Sequence, residues 1–393
     1  MSTALVFGAN GVSGLALLEA LSQTTRSEWA KIIAVSRRPP VLEHQDPRIE
    51  FVSVDLLAGR EEIIKSLRDA GAENATQGKA YTHDGFGLAV FYAYIAKEDE
   101  DELVEINKKL FGSALQAVAE AAPKLKVFLL QTGYKYYGTH KGGKFLAPYP
   151  WRADSARHEG QNFYYVQEDM LKLASANHGW NWIVTRPNFI LGFSKGNFMS
   201  LATTVALYAT ARKALGEPLA FPGTEVTYRL EYDFSTASNN ARFQLAAATN
   251  EKAYHRAFNI SDGNPLTWEM LWPRIARYFE ADFDETSVAT LANGKKQGED
   301  IAVAHSAAEW ATSHESDFAR LVEEHHLDPD SFKYATWDFL DFVTTRTWPD
   351  VATLNEARSI GWDTSVDTFE DGFKPVFEQL KAAKIIPGGP APA

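Results

Sequence analysis

"TALVFGANGVSGLALLEALSQ", residues 3–23, decides the fold of this 393-residue chain. An apolar strand signal ends at Gly8, and leucines with helical spacing follow from Val12 onward. Between them glycine recurs at every third position, as Gly8, Gly11 and Gly14. Glycines let such a turn close tightly and let its backbone approach a pyrophosphate, and the N–H groups of the following helix favour an anion. The stretch therefore predicts the dinucleotide-binding turn of a parallel α/β sheet.

Strand and helix signals alternate through residues 1–195, which predicts a Rossmann-type doubly wound parallel sheet in an α/β fold. Beyond residue 195 the alternation stops and the pattern becomes mostly helical, so we expect residues 196–393 to form a substrate-binding region. A late strand signal near residues 255–260 is expected to rejoin the sheet. The expected strands of the first part are Thr3–Gly8, Lys31–Arg37, Ile49–Leu56, Gly87–Ala96, Lys126–Gly133 and Trp180–Gly192.

The composition excludes several classes of function. The formal net charge is −12, so the chain lacks the basic footprint of a nucleic-acid-binding or membrane-surface protein. There is no cysteine, and the ten histidines form no H-E-x-x-H motif, so we expect no disulfide and no metal site. The strand signal begins at residue 3 without a signal peptide, and no apolar run reaches the ~20 residues that span a bilayer. We therefore expect a cytoplasmic protein.

The end of the second predicted strand indicates which dinucleotide binds. NAD sites usually carry an acidic residue there for the ribose 2′-hydroxyl. This chain instead has Ser36, Arg37 and Arg38, which offer hydroxyl and guanidinium donors suited to a 2′-phosphate. Asp55, at the end of the third strand, can accept a hydrogen bond from the adenine amino group. We therefore expect NADP(H) as the cofactor and residues 1–195 as its domain.

A second stretch, "QNFYYVQEDMLK" (Gln161–Lys172), places two adjacent tyrosines in a predicted helix. Common short-chain reductases pair a helix tyrosine with a lysine four residues later, which lowers the pKa of the phenol. Here Glu168 follows Tyr164 by four residues, and Asp169 follows Tyr165 by four. The lysine must therefore come from elsewhere in the chain.

Two lysines are candidates for that role. Lys141 follows Tyr137 by four residues, but the glycines around it argue against a helix, and without a helix the spacing loses its meaning. Lys135 lies just beyond the fifth predicted strand, at the sheet edge where ligands of α/β proteins bind. On spacing alone, a solvated loop lysine is an equally good interpretation of Lys135.

Three motifs together resemble the progesterone 5β-reductase/iridoid synthase family of atypical short-chain dehydrogenases/reductases. They are "QTGYKYYG", "NFYYVQED" and "TRPNFILGFS", and the resemblance continues to "KAAKIIP" near the end of the chain. It implies an NADPH-dependent enzyme in which the loop lysine and the second tyrosine are catalytic, which here are Lys135 and Tyr165. Two departures are evident. The first strand signal begins at Thr3, whereas plant-type members of the family carry an extension before it, and Tyr94 and Ile95 stand where plant members often have a tryptophan.

The glycine turn, the strand ends and the resemblance together define an expected cofactor site. Its residues are Gly8, Asn10, Gly11, Val12, Ser13, Gly14, Ser36, Arg37, Arg38, Asp55, Leu56, Ala93, Thr132, Gly133, Pro187, Asn188 and Ile190.

The expected reaction is 1,4-reduction of an α,β-unsaturated carbonyl compound, with Tyr165 stabilising the enolate and Lys135 supporting Tyr165. Three alternatives stay open: an NADPH-dependent carbonyl reductase or alcohol dehydrogenase, a non-catalytic NADP-binding sensor, and a biosynthetic cyclase or isomerase. The expected partner is a small-molecule enone or enal, with no nucleic acid and no membrane. A homodimer is a further possibility, because the sequence does not determine the oligomeric state.

Overall fold

A computed structural model of the chain describes residues 2–72, 87–283, 288 and 306–388. The chain divides into two compact units. The first comprises residues 1–188, 237–261 and 352–364, and the second comprises residues 189–236, 262–351 and 365–393. No helix within the described ranges combines the length and apolarity needed to cross a bilayer.

The first unit is built on a seven-stranded sheet. Its strands are β1 (Thr3–Phe7), β2 (Lys31–Ser36), β3 (Ile49–Ser53), β4 (Gly87–Phe91), β5 (Val127–Gln131), β6 (Asn181–Pro187) and β9 (Arg256–Ile260). They lie in the order β3-β2-β1-β4-β5-β6-β9, and every neighbouring pair is parallel. Its helices are α1 (Val12–Ser22), α2 (Arg60–Asp69), α3 (Glu100–Ala121), α4 (Phe163–His178), α7 (Ala237–Ala248) and α12 (Asn355–Ser359).

Apolar cores lie on both faces of this sheet, which is why its central strands are apolar along their whole length. Leu5 and Phe7 of β1 join the core that also contains residues of α2 and α3. Ala4 and Val6, which point the other way, join the core that also contains residues of α1 and α7. The sequence expectation of a doubly wound parallel sheet is thus confirmed.

Helix α4 carries the two tyrosines, and its ends are fixed locally. The side chain of Asn162 accepts a hydrogen bond from the backbone N–H of Tyr164 (3.0 Å) and so caps the first turn. Gly179, with φ of +72°, ends the helix in the left-handed conformation that glycine adopts at low cost. The start of the helix, and with it the position of both tyrosines, is therefore set by the residue just before the helix.

The second unit is mostly helical around an aromatic core. Its helices are α5 (Leu201–Ala214), α6 (Glu225–Arg229), α8 (Trp268–Phe279), α9 (Ala307–Ser313), α10 (Glu315–Glu324), α11 (Trp337–Thr344) and α13 (Lys374–Ala382), and its strands are β7 (Ile190–Leu191) and β8 (Ser235–Thr236). Trp268 and Trp272 are at most 1% exposed, and both pack against Phe221. These tryptophans therefore form part of the core.

The structure differs from the sequence expectations at several boundaries. The first unit ends at Asn188 rather than at residue 195, and it regains residues 237–261 and 352–364 from the expected C-terminal region. The expected strand near residues 255–260 is β9, and it pairs in parallel with β6. Strand β4 ends at Phe91, where its pairing with β1 and β5 stops, although the apolar sequence continues to Ala96. The functional roles assigned to the two parts stay predictions.

Asp262 of the second unit is a buried carboxyl group, only 1% exposed. It accepts hydrogen bonds from the backbone N–H of Thr236 (2.7 Å) and from the hydroxyls of Thr236 (3.0 Å) and Thr368 (2.9 Å). Burial raises its pKa from 3.8 to about 6 in spite of these donors, which lower it. The carboxyl group of Asp262 therefore holds its proton more tightly in the folded protein than in the unfolded chain.

This preference predicts a pH-dependent stability that the substitution Asp262→Asn removes. A raised pKa in the folded state contributes stability that is complete below pH 4 and is lost as the pH rises through about 6. We expect the difference in unfolding free energy, wild type minus variant, to fall by roughly 2–3 kcal/mol between pH 4 and pH 7. Urea unfolding at both pH values measures it, and a difference independent of pH contradicts the prediction.

Candidate active site

The glycine turn between β1 and α1 is constrained by close backbone contacts. Gly8 has φ of +80°, and a Cβ atom there would lie 2.9 Å from the backbone nitrogen of Ala93. A Cβ atom on Gly14 would lie 2.3 Å from the carbonyl oxygen of Gly8. At Gly11 the nearest atom would be 3.4 Å away, at ordinary contact distance. Packing thus explains the first and third glycines, whereas the second leaves space at the turn surface.

The N-terminus of α1 has the properties of a phosphate-binding site. Gly11 occupies the cap position, so no side chain of that residue satisfies the first N–H groups, and the first turn has no acidic residue. Gln131 donates a hydrogen bond to the hydroxyl oxygen of Ser13 (2.9 Å), and Gln244 donates to Gln131 (2.9 Å). Because the hydroxyl oxygen of Ser13 accepts from Gln131, the hydroxyl hydrogen of Ser13 points away from Gln131. This turn fits a dinucleotide pyrophosphate, as the spacing of the glycines predicts.

The ends of β2 and β3 hold the residues expected to contact the adenosine part. Arg37 and Arg38 are exposed, while the hydroxyl of Ser36 donates to the carbonyl oxygen of Arg38 (2.7 Å). Asp55 is exposed and accepts a hydrogen bond from the N–H of Leu57 (2.9 Å). Leu56 is buried, at 6% exposure. The guanidinium groups are therefore accessible, whereas the Ser36 hydroxyl holds the strand end in shape.

The ends of β5 and β6 lie side by side. The backbone N–H of Thr132 donates to the carbonyl oxygen of Thr185 (2.8 Å), which extends the pairing one residue beyond β5. A Cβ atom on Gly133 would lie 3.2 Å from the carbonyl oxygen of Pro187. Four buried residues thus lie close together at this edge of the sheet, namely Thr132, Gly133, Pro187 and Asn188. Ile190 lies in β7, which belongs to the second unit, so its expected contact with the cofactor stays a prediction.

The hydroxyl of Tyr165, the tyrosine expected to be catalytic, both donates and accepts a hydrogen bond with backbone groups of the protein. It donates to the carbonyl oxygen of Tyr136 (2.7 Å) and accepts from the backbone N–H of His158 (2.9 Å). Burial raises the pKa of Tyr165 to about 12. Because its single proton is already donated to a backbone carbonyl, this hydroxyl cannot donate to a substrate without breaking that bond.

Tyr164 has the hydroxyl that reaches the sheet edge. A Cβ atom on Gly133 would lie 3.2 Å from the hydroxyl oxygen of Tyr164, the same distance as from the carbonyl oxygen of Pro187. Within the described part of the chain, this hydroxyl makes no hydrogen bond. Burial raises the pKa of Tyr164 above its ordinary value, and the neighbouring Tyr94 raises it further. The geometry therefore disagrees with the resemblance, which selects Tyr165, and places Tyr164 beside the end of β5.

Lys135 lies in the 3₁₀ turn Tyr134–Tyr137 that follows β5. Its ammonium nitrogen is 5.7 Å from the ring centroid of Tyr94, which follows β4 and is 36% exposed. Its carbonyl oxygen accepts a hydrogen bond from the side chain of Asn162 (2.8 Å), the residue that caps α4. The turn carrying Lys135 is thus tied directly to the start of the tyrosine helix.

Lys141, the other candidate, lies outside this arrangement. Its ammonium pairs with Glu100 (2.9 Å). Gly138, between Tyr137 and Lys141, has φ of +82° and ends the 3₁₀ turn, so the four-residue spacing does not fall on a helix. The structure agrees with the rejection of this pair on sequence grounds.

Two buried charged residues near the site were not recognised as part of it from the sequence. Glu168 of α4 and Arg186 of β6 are each 1% exposed and form an ion pair (2.9 Å). The signal available in the sequence was an acidic residue in the place where related helices carry the lysine. Without the position of Arg186, that signal could not be interpreted.

A glycine turn fitted to a dinucleotide, with a tyrosine and a lysine at the same sheet edge, defines an oxidoreductase of the short-chain dehydrogenase/reductase type. Comparison with known proteins agrees with this class. The chain belongs to the family described as "PRISE-like Rossmann-fold domain", whose model matches residues 4–387.

Relatives of known name extend over the whole chain. A protein named as a short chain dehydrogenase of Penicillium aethiopicum is 31% identical over 98% of this chain and 99% of its own length. An (S)-8-oxocitronellyl enol synthase of Nepeta racemosa is 30% identical over 98% of this chain and 93% of its own length. A 3-oxo-Delta(4,5)-steroid 5-beta-reductase of Arabidopsis thaliana is 28% identical over the same shares. This chain is accordingly an oxidoreductase, and its class is that of NAD(P)-dependent reductases.

Solved structures with the same fold are more distant in sequence. A UDP-glucose 4-epimerase of Thermus thermophilus in complex with NAD matches with a TM-score of 0.60 at 14% identity, over 97% of this chain and 99% of that chain. This likeness supports the extended Rossmann fold and carries no information on the reaction.

The space at Gly11 predicts that a methyl group there affects dinucleotide binding but not folding stability. The substitution Gly11→Ala should leave the thermal unfolding temperature nearly unchanged, because the added methyl meets only an ordinary contact. It should weaken dinucleotide binding at least about 10-fold, because the methyl occupies the surface that a pyrophosphate approaches. Gly59→Ala is the matched control, since a Cβ atom there meets nothing within 4 Å. Calorimetric titration with NADPH and NADH measures the affinities. Unaltered affinity in Gly11→Ala contradicts the assignment of this turn to dinucleotide binding.

Proposed function

We propose that this protein is an NADPH-dependent reductase of the activated C=C bond in α,β-unsaturated carbonyl compounds, acting in the cytoplasm. The observation that carries the proposal is the Tyr164 hydroxyl beside Gly133 and Pro187, next to the turn that bears Lys135. The names of the two plant relatives, an enol synthase and a 5-beta-reductase, support reduction of a conjugated carbonyl compound.

Tyr164 acts as the hydrogen-bond donor to the carbonyl oxygen of the substrate. When bound, the nicotinamide supplies the hydride that the β-carbon receives. As negative charge develops on the carbonyl oxygen, a donor already aimed at it stabilises the enolate. The Tyr164 hydroxyl is protonated at neutral pH, because the ordinary pKa of a phenol is already about 10 and burial raises that of Tyr164 further, so the proton is available for donation. Tyr164 thus replaces Tyr165 in the role that the resemblance assigns.

Lys135 supplies a positive charge at the same sheet edge. Its ammonium faces the ring of Tyr94, and Tyr94 in turn raises the pKa of Tyr164, so these three side chains are neighbours. A cation near a phenol stabilises negative charge on the phenol oxygen and on a hydrogen-bonded enolate. We assign this stabilising role to Lys135.

A carbonyl reductase would use the same tyrosine and lysine, with hydride delivered to the carbonyl carbon instead. The two reactions differ in product, a saturated carbonyl compound against an allylic alcohol. A non-catalytic sensor of NADP would require the glycine turn alone, and the arrangement of Tyr164 and Lys135 at the sheet edge favours an enzyme over it.

Substitution of each tyrosine in turn separates their roles. Tyr164→Phe removes the proposed donor and should lower kcat/KM for an enone by about 100-fold or more, with NADPH affinity nearly unchanged. Tyr165→Phe leaves the carbonyl of Tyr136 and the N–H of His158 without their partner. It should cost about 1–3 kcal/mol of unfolding free energy and reduce the rate much less. A larger loss of kcat/KM in Tyr165→Phe than in Tyr164→Phe would contradict the proposal and indicate that Tyr165 is the catalytic tyrosine.

The exposed arginines after β2 predict a preference for NADPH. The double substitution Arg37→Gln and Arg38→Gln should weaken NADPH binding by about 10- to 100-fold, because charge-assisted bonds to a 2′-phosphate are lost. NADH binding should change little. Arg26→Gln, at another exposed arginine, is the control for loss of charge. Equal effects on the two dinucleotides would contradict the assignment of NADP(H).

A further inference from the structure

Helix α4 carries a carboxylate where common short-chain reductases carry their lysine. Glu168 lies four residues after Tyr164, one turn along the same helix face. It is buried, and one of its oxygens accepts from the Nη2 (2.9 Å) and Nε (3.3 Å) atoms of Arg186. A buried carboxylate is costly unless it is paired, so Glu168 and Arg186 depend on each other.

Arg186 extends from this pair to the turn that holds Lys135. Its guanidinium carbon lies 3.4 Å from the ring centroid of Tyr136, in a stacked contact. Its Nη1 atom donates to the hydroxyl of Tyr137 (3.2 Å) and to the carbonyl oxygen of Ala153 (2.8 Å). Tyr136 and Tyr137 are the two residues directly after Lys135.

The same turn is held at other points of the first unit. The hydroxyl of Tyr137 donates to the side chain of Asn259, and its ring stacks on Trp151 at 5.5 Å. The carbonyl of Tyr136 accepts from Tyr165 (2.7 Å). Asn162 and Tyr165 thus join the turn to the first turn of α4, and Arg186 joins it to Glu168, one turn further along the helix face that carries Tyr164.

We propose that Glu168 and Arg186 are positioning residues: the buried carboxylate orients the guanidinium, which fixes the Tyr136–Tyr137 segment and thereby places Lys135 relative to Tyr164. The charge four residues after Tyr164 is thus opposite to that of the lysine in common short-chain reductases, and the ion pair positions a lysine supplied by another segment. This inference rests on the proposed function only in the roles of Lys135 and Tyr164.

The first test compares two charge-neutralising substitutions on one helix. Glu168→Gln keeps an acceptor oxygen for Arg186 but removes the charge. Asp169→Asn makes the same change at the next residue, an exposed carboxylate paired with Arg157 (2.6 Å), and serves as the control. Reductive ¹³C-methylation of the lysines gives an NMR signal for Lys135, which the Lys135→Arg variant assigns.

We expect Glu168→Gln to move the Lys135 signal and its titration, and to lower kcat for an enone by about 10- to 100-fold, because small misplacements of reacting groups have effects of this size. NADPH affinity and KM should change less than about two-fold. Asp169→Asn should match the wild type in every measurement. A folded Glu168→Gln protein with wild-type Lys135 signal and kcat overturns the proposal, as does an equal loss in Asp169→Asn.

A double variant decides the matter if Glu168→Gln does not fold. Replacing both partners, Glu168→Met with Arg186→Met, leaves no unpaired buried charge, and such replacements often preserve folding. The double variant should fold, shift the Lys135 signal and lose kcat. Wild-type values in it overturn the proposal. A wild-type protein that reduces no enone defeats the proposed function alone, because the Lys135 signal in the variants still tests the positioning.

Discussion

The constraint on which the site depends is that parallel strands end at the same edge of the sheet. The glycine turn follows β1, Tyr94 follows β4, Lys135 follows β5, and Pro187 ends β6. Groups far apart in sequence therefore meet without any long loop having to fold over them. The close approach of Gly14 to the carbonyl of Gly8 holds α1 against the end of β1, and this leaves the helix N-terminus open at that edge.

Side-chain contacts, and not strand pairing, join helix α4 to the 3₁₀ turn that carries Lys135. In helices with the common spacing, one element presents both phenol and ammonium. Here α4 presents the phenol of Tyr164 and the carboxylate of Glu168, and a separate turn presents the ammonium of Lys135. Because the two groups lie on separate segments, contacts between the segments must position them, and the Glu168–Arg186 pair with its contact to Tyr136 does so together with the hydrogen bond from Asn162 to Lys135.

The sequence was sufficient for the features that local chemistry determines. The glycine turn predicted the position of α1, and the apolar runs predicted the parallel sheet. The choice between Tyr164 and Tyr165 was beyond it, because adjacent helix residues differ by about 100° in direction and only distant contacts decide which one faces the edge. Those contacts are the carbonyl of Tyr136 and the N–H of His158, which bind Tyr165, and the backbone of Gly133, which faces Tyr164.

The domain boundary was beyond sequence reasoning for a related reason. Residues 237–261 return to the first unit because α7 packs on α1 and β9 pairs with β6, and both contacts join segments far apart in the chain. The partner of Glu168 was equally hidden, since Arg186 is 18 residues away on a strand.

The most direct test of the account is to trace the hydride. The protein is incubated with NADPH carrying deuterium at C4, in each of the two configurations, and a panel of cyclic and acyclic enones and enals. NMR of the products should show deuterium on the β-carbon of a saturated carbonyl compound, from one configuration of the cofactor only. Deuterium on the carbonyl carbon of an allylic alcohol, or no transfer to any member of the panel, would contradict the account.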